Sequence, residues 1–291
     1  MKELNYKKVF NTLVEETVNY VISNGLKAMV LGISGGIDST VVAAICHEVS
    51  KKTGIPLIGR SLPIKNKDDE FDVSKLVGEA FCDDFKVCEL RSMADKFKVF
   101  IENYEDSILI PPIADGNIQA RLRMVYLYNL ASIHKGLVMS TDNQTEYQLG
   151  FWTIHGDVGD FDPIQDLWKT EVYELAKWIS NRYKNIEHHH TIMTGAGSKS
   201  DAIELSIALT PTDGLGISNS DLDQIGAKSY YDVDRVLQTL VCKASPENDK
   251  VQDALVKELG AEVTNKIIKR HRASEFKRKK APIYISRELY E

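Results

Sequence analysis

The sequence predicts an α/β protein with an open parallel sheet and helices on both of its faces. Four apolar runs rich in β-branched residues are typical of buried strands, and helical patterns separate them. The strands are predicted at 28–33, 55–62, 85–90 and 136–141, and the helices between them at 38–52, 68–82 and 117–134. Strands that alternate with helices favour parallel pairing with helices on both sides of the sheet. A further amphipathic helix is predicted at 166–183, whereas residues 184–216 are expected to be rich in loops.

Composition narrows the class of protein. The chain has 291 residues, of which 43% are hydrophobic and 27% are charged, as is ordinary for a globular protein. Its apolar runs are far shorter than the ~20 residues that a membrane helix needs, so no membrane association is expected. A formal net charge of −6 makes nucleic acid an improbable partner for the whole molecule. The four cysteines show no CxxC spacing, which favours free thiols and a cytoplasmic location.

The most informative stretch is AMVLGISGGIDS, residues 28–39, followed directly by a helical pattern. Two adjacent glycines allow backbone N–H groups to turn toward an oxyanion, and a helix start adds unpaired N–H groups and a positive dipole end. The pattern therefore predicts a phosphate-binding loop at the carboxyl end of a strand. It lacks the lysine of the Walker loop. The segment 140–143 follows another predicted strand, so we expect both loops to form one shared site.

The SGGIDS pattern resembles the pyrophosphate loop of the N-type ATP pyrophosphatases, which cleave ATP to AMP and pyrophosphate. A second stretch, STDNQTEYQLGFWTIHGDVGDFDPIQDLWKTEVYEL at 140–175, is similar to the signature of the NAD synthetases, as is NIQARLRM at 117–124. This resemblance implies an adenine-nucleotide α-hydrolase-like fold with Rossmann-type layering, in one domain spanning 1–291. It also implies a ligase in which deamido-NAD attacks ATP to form an acyl adenylate, and ammonia then displaces AMP to give NAD.

The resemblance implies a role for individual residues on the ATP side. The implied ATP-binding residues are Ser34, Gly35, Gly36, Ile37, Asp38, Ser39, Thr141 and Lys169. Magnesium prefers oxygen ligands, commonly one or two carboxylates together with phosphates. Asp38 and Glu146 match the family's Mg²⁺ ligands, and Lys169 is expected to contact the phosphates and to be catalytic.

On the acid-substrate side, the resemblance assigns Arg121, Asp160 and Lys277 to deamido-NAD. Asp157 matches the acidic residue of the family's GDGG motif. Because ammonium must lose a proton before it attacks, we interpret Asp157 as the general base of the second step.

Several positions depart from the family pattern, mostly on the substrate and adenine side. Ile154 replaces a lysine, and Phe276 replaces the histidine of a C-terminal HKR motif. Ser61 and Lys67 stand where an adenine-site Arg and Gln are common, with Arg60 next to the first of them. The family's Pro-rich loop is not recognisable at 190–216.

Other features leave alternatives open. The basic run 266–280 holds eight Lys/Arg against one Glu, and is either a solvated tail or an arm that clamps an anionic dinucleotide. The three histidines at 188–190 are more typical of a solvated loop than of a metal site. The apolar residues around helix 117–134 favour burial on several sides or a subunit contact, and the family resemblance implies a homodimer through it.

The leading hypothesis is an ammonia-dependent NAD synthetase. Only 33 residues precede the loop, against the roughly 250 of a glutaminase, so no glutaminase domain is expected. One alternative is an adenylating amide- or thio-transfer ligase with another substrate. A second alternative is a nucleotide-binding regulator without turnover, which the presence of both metal carboxylates disfavours.

Overall fold

The computed structural model describes residues 4–65, 68–105, 109–187, 198–210, 220–241 and 246–279. Four parallel strands form one sheet in the order β3-β2-β1-β4. The strands are β1 (Met29–Gly32), β2 (Leu57–Ser61), β3 (Asp84–Val87) and β4 (Leu137–Val138). The predicted fold class is therefore confirmed.

Twelve helices are present in the described residues. Their bounds are α1 (Tyr6–Ser23), α2 (Ile37–Thr53), α3 (Asp68–Phe81), α4 (Arg91–Tyr104), α5 (Pro112–His134), α6 (Gln144–Leu149), α7 (Lys169–Glu187), α8 (Lys199–Ala208), α9 (Asp221–Ile225), α10 (Tyr230–Val241), α11 (Pro246–Leu259) and α12 (Ala261–Ala273). A short 3-10 turn follows at Glu275–Arg278. Within these helices, none combines the length and apolar character that crossing a membrane requires.

The sheet is covered on both faces because its central strand alternates between two cores. Met29 and Leu31 belong to the larger core, which α1, α2, α7 and α8 complete. Ala28 and Val30 point to the other face, where they meet residues of α5 such as Leu127. Successive side chains of a strand point to opposite faces, so this one run serves two layers.

A third core joins the C-terminal helices into a helical unit, which we define as α9–α12. Its fully buried residues include Val233, Val236 and Leu237 of α10 and Ile267 of α12. Leu149, the last residue of α6, is buried in the same cluster. The helical unit is thus packed directly against the short helix that follows β4.

The structure corrects several predicted boundaries. The predicted strand at 136–141 is limited to Leu137–Val138, since the chain turns away and Met139 makes only an isolated bridge to Phe161. The helix predicted at 117–134 already begins at Pro112, where proline suits a first helical turn. Helix α4 was not predicted, and α8 lies where loops were expected. Residues 188–197 and 211–219, including the three histidines, lie outside the described residues.

Candidate functional site

Two loops meet at the carboxyl edge of the sheet, one after β1 and one after β4. Asn143 caps α6, accepting a hydrogen bond from the backbone N–H of Glu146 at 3.0 Å. Its side-chain amide donates to Asp38 Oδ1 at 2.8 Å, across 105 residues of sequence. The meeting of the two loops that we expected from the strand ends is therefore observed. Strand β1 pairs with β2 on one side and with β4 on the other, so the loops after β1 and β4 lie side by side where the strand order reverses.

The SGGIDS loop is closed by its own hydroxyl groups. Ser34 Oγ lies 3.0 Å from Ser39 Oγ and accepts from the backbone N–H of Gly36 at 3.2 Å. Ser39 Oγ also donates to the Gly36 carbonyl oxygen at 3.0 Å. Gly35 has φ +87°, a left-handed conformation that side chains rarely adopt. Helix α2 begins at Ile37, so the loop and the first turn of the helix face the same space.

Replacing Gly35 with alanine should destabilise the protein by about 3 kcal/mol and abolish nucleotide binding. A Cβ there would lie 2.6 Å from the Glu70 carbonyl oxygen and 2.9 Å from the Ser74 nitrogen, both backbone atoms, so overpacking adds to left-handed strain. Gly54→Ala is the matched control, because Gly54 has φ +72° with nothing within 4 Å. Urea unfolding should show a loss of only about 1 kcal/mol for the control. Equal losses in both variants would contradict the packing argument.

Lys169 lies at the centre of the site. Its side chain is only 2% exposed, and its Nζ donates to Asp38 Oδ2 at 2.5 Å and to Glu146 Oε1 at 2.9 Å. The Tyr230 ring lies 5.6 Å from the same Nζ. Burial opposes the charged form, but the two carboxylates outweigh it and raise the pKa of Lys169 well above its usual value. Lys169 is thus held as a buried cation between Asp38 in the first turn of α2 and Glu146 in the first turn of α6.

The Asp38–Glu146 pair fits a magnesium ion by the chemistry of its donors. Two carboxylates from different loops converge on one cation, the Lys169 ammonium, and both line the cleft that the loops enclose. Within the described residues, no group of three or more His, Cys, Asp or Glu side chains is arranged as a metal site. Magnesium bound to nucleotides is commonly held by one or two carboxylates, with phosphates and water completing its coordination.

Three further carboxyl groups lie close to this site, and two of them, Asp142 and Asp157, line the cleft. Burial raises the pKa of Asp142 well above its usual value, and the neighbouring carboxylates add to the effect. Asp157 is exposed at the cleft, but surrounding protein atoms desolvate its carboxyl and raise its pKa despite a hydrogen bond from the backbone N–H of Thr153 at 2.7 Å. Burial raises the pKa of Asp162 to about 7, and the charge of Asp38 contributes. Each of these carboxyl groups therefore keeps its proton to a higher pH than an ordinary aspartate does.

Asp162→Asn should stabilise the protein in a pH-dependent way. Folding raises the pKa of Asp162 from an unfolded value of about 4 to about 7, so the folded state holds more protons between these values and its stability falls as pH rises. One Asp162 oxygen is buried without a hydrogen-bond partner, while the other accepts from the backbone N–H of Ile164 at 3.0 Å, a bond that asparagine keeps. The advantage of the variant should grow by ~2 kcal/mol from pH 5.5 to pH 8.

Urea unfolding in magnesium-free buffer at both pH values measures this advantage. Asp166→Asn is the control, since Asp166 lies nearby on the surface. An advantage that does not change with pH would contradict the assignment of the shift to Asp162.

The cleft brings together four of the eight residues predicted to bind ATP, Ser34, Asp38, Ser39 and Thr141, and the predicted magnesium ligand Glu146. Asp157, which was predicted on the acid-substrate side, lies in its wall as well. Arg123 also lines it, with its Nε donating to the Leu62 carbonyl oxygen at 3.0 Å. We did not predict Arg123, although it stands two residues from Arg121 in the same motif. Residues two apart lie on different faces of a helix, and it is the face with Arg123 that meets the cleft. Asp142 and Asp162 were also missed, because an aspartate beside a motif carries no sequence signal of burial.

Of the three residues predicted to bind deamido-NAD, only Lys277 lines one of the two cavities in this region. Arg121 is exposed and donates to the Ile154 carbonyl oxygen at 3.2 Å. Asp160 accepts from Val138 N–H and from Tyr128 Oη–H, both at 3.0 Å, so each of its oxygens already has a protein donor. Neither residue lines the cleft or the cavity beside it.

A second cavity adjoins the cleft and shares Met124, Tyr128 and Val158 with it. It has a volume of about 610 Å³, and its other walls are Trp152, Ile154, His155, Gly159, Phe276, Lys277 and Lys279. Two of the departures from the family pattern, Ile154 and Phe276, thus face this cavity. Ser61 lines the cleft, whereas Lys67 lies outside the described residues. The guanidinium of Arg60 is held by Asp84, 2.8 Å from one of its carboxylate oxygens.

The basic run 266–280 donates hydrogen bonds to backbone carbonyl groups, and two of its lysines also line the cavity. Arg270 donates to the Leu149 carbonyl oxygen at 3.2 Å, and Arg278 donates to that of Gln148 at 2.7 Å. Lys277 Nζ donates to the carbonyl oxygens of Gly150, at 2.7 Å, and Trp152. These cations therefore stabilise the C-terminal end of α6, where the helix dipole is negative. The run is more than the solvated tail that was one of the two alternatives.

Comparisons with known proteins show which family the chain belongs to. The sequence model of the NAD synthase family matches residues 9–281. The chain is 30% identical to an NH(3)-dependent NAD(+) synthetase of Pyrococcus furiosus over 280 residues, which cover 96% of this chain and 95% of that one. It is 28% identical to a glutamine-dependent NAD(+) synthetase of Aquifex aeolicus, covering 95% of this chain but only 45% of that longer protein.

Among solved structures, an NMN synthetase from Francisella tularensis has the same fold. The TM-score is 0.74 at 24% identity, covering 98% of this chain and 100% of that chain. Because the family's sequence model spans nearly the whole chain, and the Pyrococcus relative aligns along nearly its full length, the chain belongs to the NAD synthase family.

Proposed function

We propose that this protein amidates deamido-NAD with ammonia at the expense of ATP, giving NAD, AMP and pyrophosphate through an acyl adenylate. The observation that carries the proposal is the buried Lys169 between Asp38 and Glu146, beside an anion-binding loop and in a cleft with Asp157. The Pyrococcus and Aquifex relatives are both named for NAD(+) synthesis, with ammonia and with glutamine respectively.

In the first step, the nicotinate carboxylate attacks the α-phosphorus of ATP, and the bond to pyrophosphate breaks. Negative charge gathers on the departing pyrophosphate, so donors aimed at it lower the barrier. Ser34, Gly35, Gly36, Ile37 and Ser39 supply hydroxyl and backbone donors, and Thr141 contacts the nucleotide. Lys169 supplies a cation that the carboxylates keep protonated.

Asp38 and Glu146 would hold Mg²⁺ in this site. When bound, magnesium neutralises charge on the phosphate oxygens. Lys169 and the N–H groups of the SGGIDS loop bind and orient the triphosphate itself.

In the second step, ammonia attacks the carbonyl carbon of the acyl adenylate, the amide C–N bond forms and AMP leaves. Ammonium has no free electron pair, so a base must take its proton. Asp157 lies in the cleft wall, and its raised pKa brings it closer to neutral pH than an ordinary carboxylate. We assign the proton to Asp157.

The adjoining cavity is the proposed site of the acid substrate, with Lys277 at its wall. Arg121 and Asp160 do not line this cavity, so we propose that they hold parts of the substrate that lie outside it. A second candidate acceptor is nicotinate mononucleotide. The apolar Ile154 and Phe276 face the cavity where the resemblance implies cationic groups for a dinucleotide, and the Francisella protein is named an NMN synthetase.

We also propose a homodimer through α5 together with α4. Met93, Phe97, Phe100 and Tyr104 repeat along α4 at helical spacing and are 44–74% exposed, and Val125 of α5 is 59% exposed. A row of exposed large apolar side chains on adjoining helices is typical of a subunit contact. Sedimentation equilibrium would measure the subunit number. The described cysteines Cys46, Cys82 and Cys88 are free thiols, which supports a cytoplasmic location.

The deciding experiment supplies the purified protein with ATP, magnesium and ammonium, and either deamido-NAD or nicotinate mononucleotide. NAD and AMP in equal amounts would support the leading proposal, and a higher kcat/KM with the mononucleotide would favour the second acceptor. AMP formed without either amide would indicate a related ligase with another acceptor. Nucleotide binding with no turnover would indicate a regulator.

A further inference from the structure

A buried carboxylate in the helical unit contacts the two helices that carry Lys169 and its partner Glu146. Asp234 of α10 has no exposed surface. Its Oδ1 accepts from Thr145 Oγ1 at 2.5 Å, and its Oδ2 accepts from the backbone N–H of Thr170 at 3.0 Å and from Thr170 Oγ1 at 2.7 Å. Thr145 belongs to α6 and Thr170 to α7, so one carboxylate links three helices.

The link extends to Lys169 and Glu146. Thr145 precedes Glu146 in α6, and its hydroxyl oxygen accepts from the backbone N–H of Lys169 at 2.8 Å. Thr170 follows Lys169 at the start of α7. The donor N–H of Thr170 is one of the first-turn groups that have no acceptor within their own helix, so Asp234 caps α7 from another helix.

The same helix makes a second approach to the cation. Tyr230, the first residue of α10, places its ring 5.6 Å from Lys169 Nζ. Asp234 and Tyr230 are four residues apart and therefore share one face of the helix. The core of the helical unit, with Val233, Val236 and Leu237 fully buried, fixes the register of this face.

We propose that Asp234 is a positioning residue, which sets the separation of Lys169 from Glu146 and Asp38 through Thr145 and Thr170. The C-terminal helical unit thus acts on Lys169 through Asp234. This inference rests on the proposed function for its kinetic consequence, since Lys169 acts on charge that develops during adenylation. A small displacement of such a group lowers the rate without a matching loss of substrate affinity.

Thr145→Val tests the link with an isosteric change that removes the hydroxyl between Asp234 and Lys169. We expect kcat to fall at least tenfold, while KM for the acid substrate stays within twofold. The kcat of Asp234→Asn should fall less than that of Thr145→Val, because the asparagine amide still offers an acceptor to Thr170 and a donor to the Thr145 oxygen. Thr264→Val is the control for stability alone: Thr264 is fully buried in the helical unit and bonds only locally, to the Gly260 carbonyl oxygen.

Each rate is compared at an equal folded fraction, and crystal structures of both Thr variants measure the Lys169 Nζ–Glu146 Oε1 separation, 2.9 Å here. A wider separation and a lower kcat in Thr145→Val alone support the inference. Equal kcat values for Thr145→Val and Thr264→Val, or an unchanged separation, would overturn it. If the unaltered protein forms no amide, the proposed function fails, and the separation by itself decides whether Asp234 positions the cation.

Discussion

Replacing Lys169 with methionine should lower kcat/KM for NAD formation about a thousandfold. Methionine keeps an apolar stem at this buried position but removes the ammonium that bonds to Asp38 and Glu146. One donor aimed at a developing oxyanion is worth about 10²–10³ in rate, and Lys169 also holds the two carboxylates in place. Coupled measurement of AMP and NAD release gives the loss.

The same substitution should also lower the free energy of unfolding, and magnesium should restore part of that loss. Removing one partner of a buried ion pair costs about 3–5 kcal/mol when the remaining charge has no compensation. Asp38 and Glu146 are 15% and 18% exposed, so solvent recovers part of that cost and we expect about 2 kcal/mol. If the carboxylates bind Mg²⁺, the metal should raise the Tm of Lys169→Met more than that of the unaltered protein.

Lys177→Met is the matched control for this experiment. Lys177 lies on the same helix, but its side chain is 54% exposed and pairs with the exposed Glu174. Surface pairs of this kind contribute little, so activity and stability should both stay close to those of the unaltered protein. Activity of Lys169→Met within tenfold of normal would contradict a role for the cation in the rate-limiting chemistry.

The meeting of the two loops could be predicted because it follows from local signals and topology. A buried strand followed by Gly-Gly and a helix start fixes the loop that contains Asp38, and parallel strands bring it to the same edge as Asn143. The alternation of predicted strands with predicted helices was likewise sufficient to predict helices on both faces of the sheet, which the structure shows.

The contribution of the C-terminal helices could not be predicted in the same way. Asp234 lies 89 residues from Thr145 and 64 from Thr170, and an aspartate on an amphipathic helix is ordinarily exposed. Its burial depends on how the helical unit packs on α6, which no local pattern encodes. Asp160 gives the converse case: the motif points to substrate, but the structure engages its oxygens with Val138 and Tyr128.

Replacing Asp157 with asparagine should stop amide formation while leaving adenylation. Asparagine keeps the oxygen that accepts from the Thr153 backbone N–H at 2.7 Å, so the local loop is retained and only the proton acceptor is lost. General base catalysis contributes about 10²–10⁴-fold, so NAD formation should fall at least a hundredfold. Exchange of labelled pyrophosphate into ATP, which reports the first step alone, should stay within threefold of normal.

The pH profile makes the test sharper. Desolvation raises the pKa of Asp157, so the rate of the amide step should increase with pH through a limb that lies above the usual carboxyl range. That limb should be absent from Asp157→Asn and present in the control Asp166→Asn, which changes an exposed carboxylate of the same segment. A parallel fall in exchange and amide formation would place Asp157 in the adenylation step instead, because a base for ammonia has no part in the attack of a carboxylate on phosphorus.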